Sequence, residues 1–205
     1  EHLFQDATPT RFYHHPNHTF LFIMKGELYL QQNSEQNEQE IALKKHQGIW
    51  LEALTTSTLT LLSPSVELCL IRLKETTNRL TSGLLQKVSS GTVESILGRS
   101  HIKTWPLWQS QSESISLELY PPKYSETLYY QKTATQYILP LSGTIYIADE
   151  RKQPEKCSDL GKVIQQKVPR AIFNPSQESI TVLSITTSQQ TKGRVLLLKK
   201  PKTST

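Results

Sequence analysis

The densest cluster of chemistry-bearing side chains in this chain is the run HHPNH, which sets His14, His15 and His18 within five residues. Imidazoles so close together can capture zinc or nickel, because the neutral ring is a ready ligand for either. Pro16 bends the segment, and strand alternation sends neighbouring side chains to opposite faces. The expected state is therefore a partly exposed strand entry with no metal, and a cation held by His14, His15 and His18 is the rival reading. The two cysteines have neither zinc spacing nor a disulfide framework. Cys69 lies in the apolar run VELCLIRL and is expected to be a buried structural thiol, whereas Cys157, in the polar stretch ERKQPEKCSDLG, is expected in a loop. Basic side chains gather near the end at Lys192, Arg194, Lys199, Lys200 and Lys202, flanking a strand-like VLLL. No aromatics interleave with them and no reading helix carries them, so nucleic acid is not the expected partner.

The elements that must position any site are strands. At 205 residues, with 36% hydrophobic, 8% aromatic and 20% charged residues and a formal charge of +5, the chain has the composition of a soluble globular protein. A cytoplasmic setting is favoured, and no apolar run approaches the roughly 18 residues of a membrane span. In ELYLQQ, QEIALKKH, STLTLLS, SISLELY, GTIYIA and SITVLSIT, apolar and polar residues alternate or β-branched residues cluster, with Asn, Gly, Pro and Ser turns between. Helical spacing is confined to Leu80, Leu84, Leu85 and Val88, before Ser89, Ser90 and Gly91 break it.

The strand pattern is written twice. HTFLFIMKGELYL and TQYILPLSGTIYI match on Gly26 over Gly143, each with a tyrosine three residues later, Tyr29 and Tyr146. Gly48 then lies over Gly161, and LLSPSVELCLI over IFNPSQESITV, pairing Pro64 with Pro175, Ser65 with Ser176 and Glu67 with Glu178. Matched segments keep their order, so the expectation is two copies of one antiparallel β unit, each closed into a barrel or sandwich that leaves few strand edges bare. The expected division is residues 1–75, a connection over 76–104 with a short helix, and residues 105–205 with a basic tail. The first copy starts close to its first matched strand, so it is expected to borrow one, Val195 to Leu198 being the candidate.

A strand, a Gly, a second strand, a loop, a Gly that opens a strand and then a Pro turn of the NPSxE kind together resemble the cupin fold, and two copies resemble a bicupin. The resemblance implies an all-β chain of two cupin-like antiparallel β-barrels, of the double-stranded β-helix or jelly-roll type, in tandem. Metal-binding cupins carry His, any residue, His, three or four residues, Glu, six residues and Gly, followed by a further His in a second motif. Set on Gly26, that pattern puts Thr19 in the Glu position, with His15 and Tyr13 in the His positions; set on Gly143, it gives Gln136, Lys132 and Tyr130. The second-motif His falls near Asn174. The usual ligands are thus missing from both copies, and no cofactor is expected.

What remains at those positions is a set of hydrogen-bonding groups, Tyr130, Lys132, Gln136 and Asn174 in one copy and Tyr13, His15 and Thr19 in the other. Facing a small cavity, they suit a sugar or a carboxylate, since each buried donor or acceptor needs a partner. The expected role is small-molecule binding, sensing or scaffolding, with homodimer contacts through barrel faces. The alternative is a cofactor-free sugar isomerase or epimerase, with Tyr130 and Lys132, or Tyr13 and His15, as the acid and base.

Overall fold

The computed structural model describes residues 1–5, 10–34, 37–73, 86–98, 101–150, 153–187 and 193–197. These residues divide into two compact units, Glu1–Val93 and Glu94–Thr205, and every regular element among them is a β-strand.

The first unit contains β1 (His2–Phe4), β2 (Thr10–Tyr13), β3 (Thr19–Lys25), β4 (Leu28–Ser34), β5 (Asn37–Leu43), β6 (Gly48–Leu51), β7 (Ser57–Leu61) and β8 (Ser65–Ile71). Two four-stranded antiparallel sheets, ordered β1-β8-β3-β6 and β2-β7-β4-β5, make it. Alternation explains how they pack: on β7, Ser57, Leu59 and Leu61 are buried while Thr58 and Thr60 are half-buried. Leu21, Ile23, Leu30, Ile49, Leu59 and Leu68 belong to one apolar cluster, so this interior is filled with hydrocarbon.

In the second unit the strands are β9 (Ile96–Leu97), β10 (Lys103–Gln109), β11 (Glu113–Tyr120), β12 (Tyr124–Ser125), β13 (Tyr129–Gln131), β14 (Thr135–Pro140), β15 (Tyr146–Ala148), β16 (Glu155–Lys156), β17 (Lys162–Ile164), β18 (Ala171–Asn174), β19 (Ile180–Thr187) and β20 (Arg194–Leu196). Its sheets run β17-β14-β19-β11-β10-β9 and β12-β18-β15-β16, with β13 paired to β20. The order β1-β8-β3-β6 recurs as β11-β19-β14-β17, and β2-β7-β4-β5 recurs as β12-β18-β15-β16. Gly26 and Gly143 both join the matched strands β3–β4 and β14–β15 at positive φ, 83° and 65°. The repeat is therefore topological, and the fold is two cupin-type antiparallel barrels in tandem.

Two expectations are corrected, and a third falls mostly outside the described residues. The candidate borrowed strand, as β20, pairs with β13 of the second unit, at Tyr129 with Leu196 and Gln131 with Arg194; the first unit instead has β1 against β8. Of the helical spacing, Leu80, Leu84 and Leu85 lie outside the described residues, while Val88 forms a β-bridge with Gly48. The cysteines keep their expected settings but differ in burial: Cys157, in the loop after β16, is buried in the second core beside Ile138, and Cys69 on β8 is only half-buried. Burial raises both thiol pKa values, so neither is a ready thiolate. No helix among the described residues is long and apolar enough to cross a membrane.

Candidate functional site

The second unit holds an open cavity of about 400 Å³. Its polar wall begins on β11, where Glu118 and Tyr120 line it and both are buried. Tyr120 donates to Glu118 Oε2 at 2.7 Å. Burial raises the pKa of Glu118, against its hydrogen bonds, and lifts that of Tyr120 well above the usual phenol range.

Glu126 lies between β12 and β13 and is fixed at both oxygens. Arg194 Nη2 donates to Oε1 at 2.9 Å, and the Ile172 amide donates to Oε2 at 3.1 Å. Burial nevertheless outweighs the ion pair and pushes the Glu126 pKa from 4.5 up to about 7. A carboxyl in that range exchanges protons at neutral pH, which an exposed glutamate does not.

Arg194 completes the wall, and Arg170, which does not line the cavity, is bonded to a residue that does. Arg170 is 1% exposed, and its Nη2 donates to Gln136 Oε1 at 2.9 Å, while Gln136 Nε2 donates to Ser184 Oγ at 2.9 Å. The guanidinium carbons of Arg170 and Arg194 lie 4.7 and 3.7 Å from the centroid of the Tyr129 ring. Burial, with Glu126 adding to it, pushes the Tyr129 phenol up to about 12. Among the described residues, Arg194 Nε, Arg170 Nε and Nη1, and Gln131 Oε1 have no hydrogen-bond partner, although Gln131 is only 2% exposed. Buried polar atoms without partners are uncommon in folded proteins.

The sequence-derived candidates divide accordingly. Gln136 lines the cavity as expected. Lys132 is exposed and Tyr130 half-buried, and neither lines it. Alternation on β13 is the reason: Tyr129 and Gln131 turn inward, so four residues, rather than three, separate the second motif position from Gln136. Asn174 is a turn staple. Its Nδ2 donates to the carbonyls of Tyr120, Pro121 and Glu178, and its Oδ1 accepts from the amide and hydroxyl of Ser176.

In the first unit, Thr19 donates to the Asn17 carbonyl, and Tyr13 packs against the apolar cluster and donates to Glu1. His15 Nδ1 accepts from the Asn17 amide, His18 Nδ1 from the Ala53 amide, and His14 is exposed. Among the described residues, no three His, Cys, Asp or Glu side chains form a group that could hold a metal ion. The metal ligands of a cupin barrel do not fit here either, since the inward positions of the second unit carry Tyr129, Gln131 and Gln136 beside two guanidiniums that repel a cation. Protein purified and dialysed against a chelator is expected to hold well under one equivalent of transition metal by plasma emission spectroscopy. One retained equivalent, lost on His15→Ala with His18→Ala, would overturn that.

Sequence reasoning missed Glu118, Tyr120, Glu126, Arg170 and Arg194. The alternation in SISLELY was read only as a strand signal, with no face assigned, and Arg194 was counted with the basic tail.

Comparison with known proteins identifies the architecture. No protein-family model and no curated protein matches the chain. Among solved structures, a mutant of Bacillus subtilis oxalate decarboxylase is 9% identical with a TM-score of 0.64, over 92% of this chain and 68% of that one. The formate complex of Lactobacillus farciminis oxalate decarboxylase is 10% identical with a TM-score of 0.65, over 92% of this chain and 75% of that one. At this identity the likeness is one of fold. It agrees with the strand order in defining the class, a tandem cupin-fold protein.

Proposed function

We propose that the second barrel binds a small polar molecule, a carboxylate or a sugar, without a metal ion, and that the first barrel is a packed support. The observation that carries this reading is the set of buried, unpartnered polar atoms on one cavity wall, Gln131 Oε1 and Arg194 Nε foremost. A ligand supplies the missing partners, and the cavity has the volume of a small-molecule site. The fold neighbours' own names refer to oxalate and formate, both small carboxylates.

The test is a thermal-shift screen of sugars and carboxylates, followed by calorimetry. Arg194→Gln is expected to weaken a hit by about 1 to 3 kcal/mol through loss of a charge-assisted hydrogen bond. Lys132→Ala and His15→Ala should leave binding unchanged, because neither side chain lines the cavity. Binding abolished by His15→Ala and kept by Arg194→Gln would move the site to the first unit.

A second reading, cofactor-free isomerisation or epimerisation, is favoured by one feature. Glu118 bonded to Tyr120, and Glu126 with a pKa of about 7, line one cavity and form an acid and base set. The pairs Tyr130 with Lys132 and Tyr13 with His15 do not. Incubation of bound sugars in D₂O distinguishes the readings: a catalyst incorporates deuterium at the reacting carbon, and a binding protein does not.

A further inference from the structure

The cavity lining mixes hydrocarbon with polar groups. Ile96, Leu97 and Ile102, on β9 and the approach to β10, contribute the hydrocarbon. Ile96 and Leu97 are 57% and 69% exposed, although β9 is tied to β10 by the Thr104–Ile96 and Lys103–Leu97 pairs. Two adjacent exposed aliphatics on a cavity wall stay wet unless an occupant covers them. The same lining carries Glu118, Glu126, Gln131, Gln136 and Arg194. A sugar, polar around its whole edge, would satisfy these groups and leave the aliphatic ones uncovered.

Charge selects the polar end of the occupant. The charged and titratable groups around Glu126 are Arg194 on β20, Arg170 ahead of β18, Glu118 and Tyr120 on β11, and Tyr129 on β13. Both phenols stay neutral, and burial holds both carboxyls toward their protonated forms. Arg170 and Arg194 are therefore not fully balanced at neutral pH, and each has a guanidinium N–H without a partner among the described residues. That environment favours an anion. Building on the ligand-site reading above, we infer that the occupant is an amphipathic monocarboxylate, with its carboxylate at Arg194 and its hydrocarbon body along Ile96, Leu97 and Ile102.

The anion also raises the proton affinity of Glu126, so binding takes up a proton there and weakens as pH rises past about 7.

The experiment is calorimetric titration of the full chain with acetate, butyrate, hexanoate, 1-hexanol and glucose, at pH 6 and pH 8. Affinity is expected to rise about fourfold per methylene from acetate to hexanoate, as transfer of each CH₂ from water dictates. Hexanoate should bind about tenfold more weakly at pH 8 than at pH 6. Arg194→Gln should cost hexanoate at least tenfold, with Arg194→Lys recovering part of the loss. Leu97→Ser, at an exposed position that the fold tolerates, should flatten the chain-length ladder and leave acetate unchanged. Equal affinity for hexanol and hexanoate, or a ladder with no slope, overturns the inference. Glucose binding lost on Arg194→Gln, with hexanoate inert, also overturns it while the ligand-site reading stands. If all five compounds are inert, the inference is overturned, and the wider screen decides the ligand site separately.

Discussion

Glu126→Gln is expected to flatten the fall in stability that the natural protein shows between pH 5 and pH 8. Burial is the largest influence on Glu126 and raises its folded-state pKa from 4.5 to about 7, against the opposing pull of Arg194. A carboxyl whose folded pKa lies above its unfolded one binds its proton more tightly when folded. Its contribution is complete below about pH 4.5 and is lost as pH rises through about 7. Across pH 5 to 8 that loss is on the order of 2 to 3 kcal/mol. Glu118, also shifted upward by burial, acts in the same sense. Glutamine does not titrate, so urea unfolding of the variant at pH 5, 6, 7 and 8 should give a slope smaller by that amount. Parallel curves for the two proteins would mean that Glu126 stays ionised throughout and that Arg194 overrides burial.

Alanine at the two matched turn glycines is expected to give unequal losses, with Gly26→Ala costing about 2 to 5 kcal/mol and Gly143→Ala about 1 to 2. Both positions have positive φ, so any side chain pays the left-handed backbone penalty. At Gly26 a Cβ would also lie 2.4 Å from the Ser65 carbonyl oxygen, a backbone atom of β8 that cannot rotate away. At Gly143 it would meet only the Ile180 side chain, at 3.1 and 3.2 Å, which a rotamer change relieves. Each variant is best read in the unfolding transition of its own unit, because the two units need not melt together. Equal losses would show that β8 gives way around Gly26 as easily as a side chain does.

The same glycines explain why the architecture was legible. Positive φ and tight approach restrict residue choice at a turn, so Gly26 with Gly143 and Pro64 with Pro175 survive as sequence landmarks, and strand alternation fills the space between. The cavity left no such trace. Its inward positions on β13, Tyr129 and Gln131, were one residue away from the count that selected Tyr130 and Lys132, although the same count found Gln136 on β14. A one-residue slip on a strand exchanges the two faces. Glu126 meets Arg194 across 68 residues, and Arg170 meets Gln136 across 34, so local patterning holds no record of either contact. Polar alternation in SISLELY reads alike whether the polar edge faces water or a polar interior, and only the closed barrel decides.

The pairing of β20 with β13 has a consequence for synthesis. A nascent chain that has emerged through Thr187 already has every strand of the six-stranded sheet, including the pairs β11–β19 and β14–β19. It still lacks Arg194, the cation bonded to Glu126, and the strand that runs beside Tyr129 and Gln131. The first unit has all its sheet partners by Ile71 and is free to fold early in translation. The cavity lining is completed after the sheet, so a ribosome that stops short of Arg194 releases a barrel with its sheet built and its charge set incomplete.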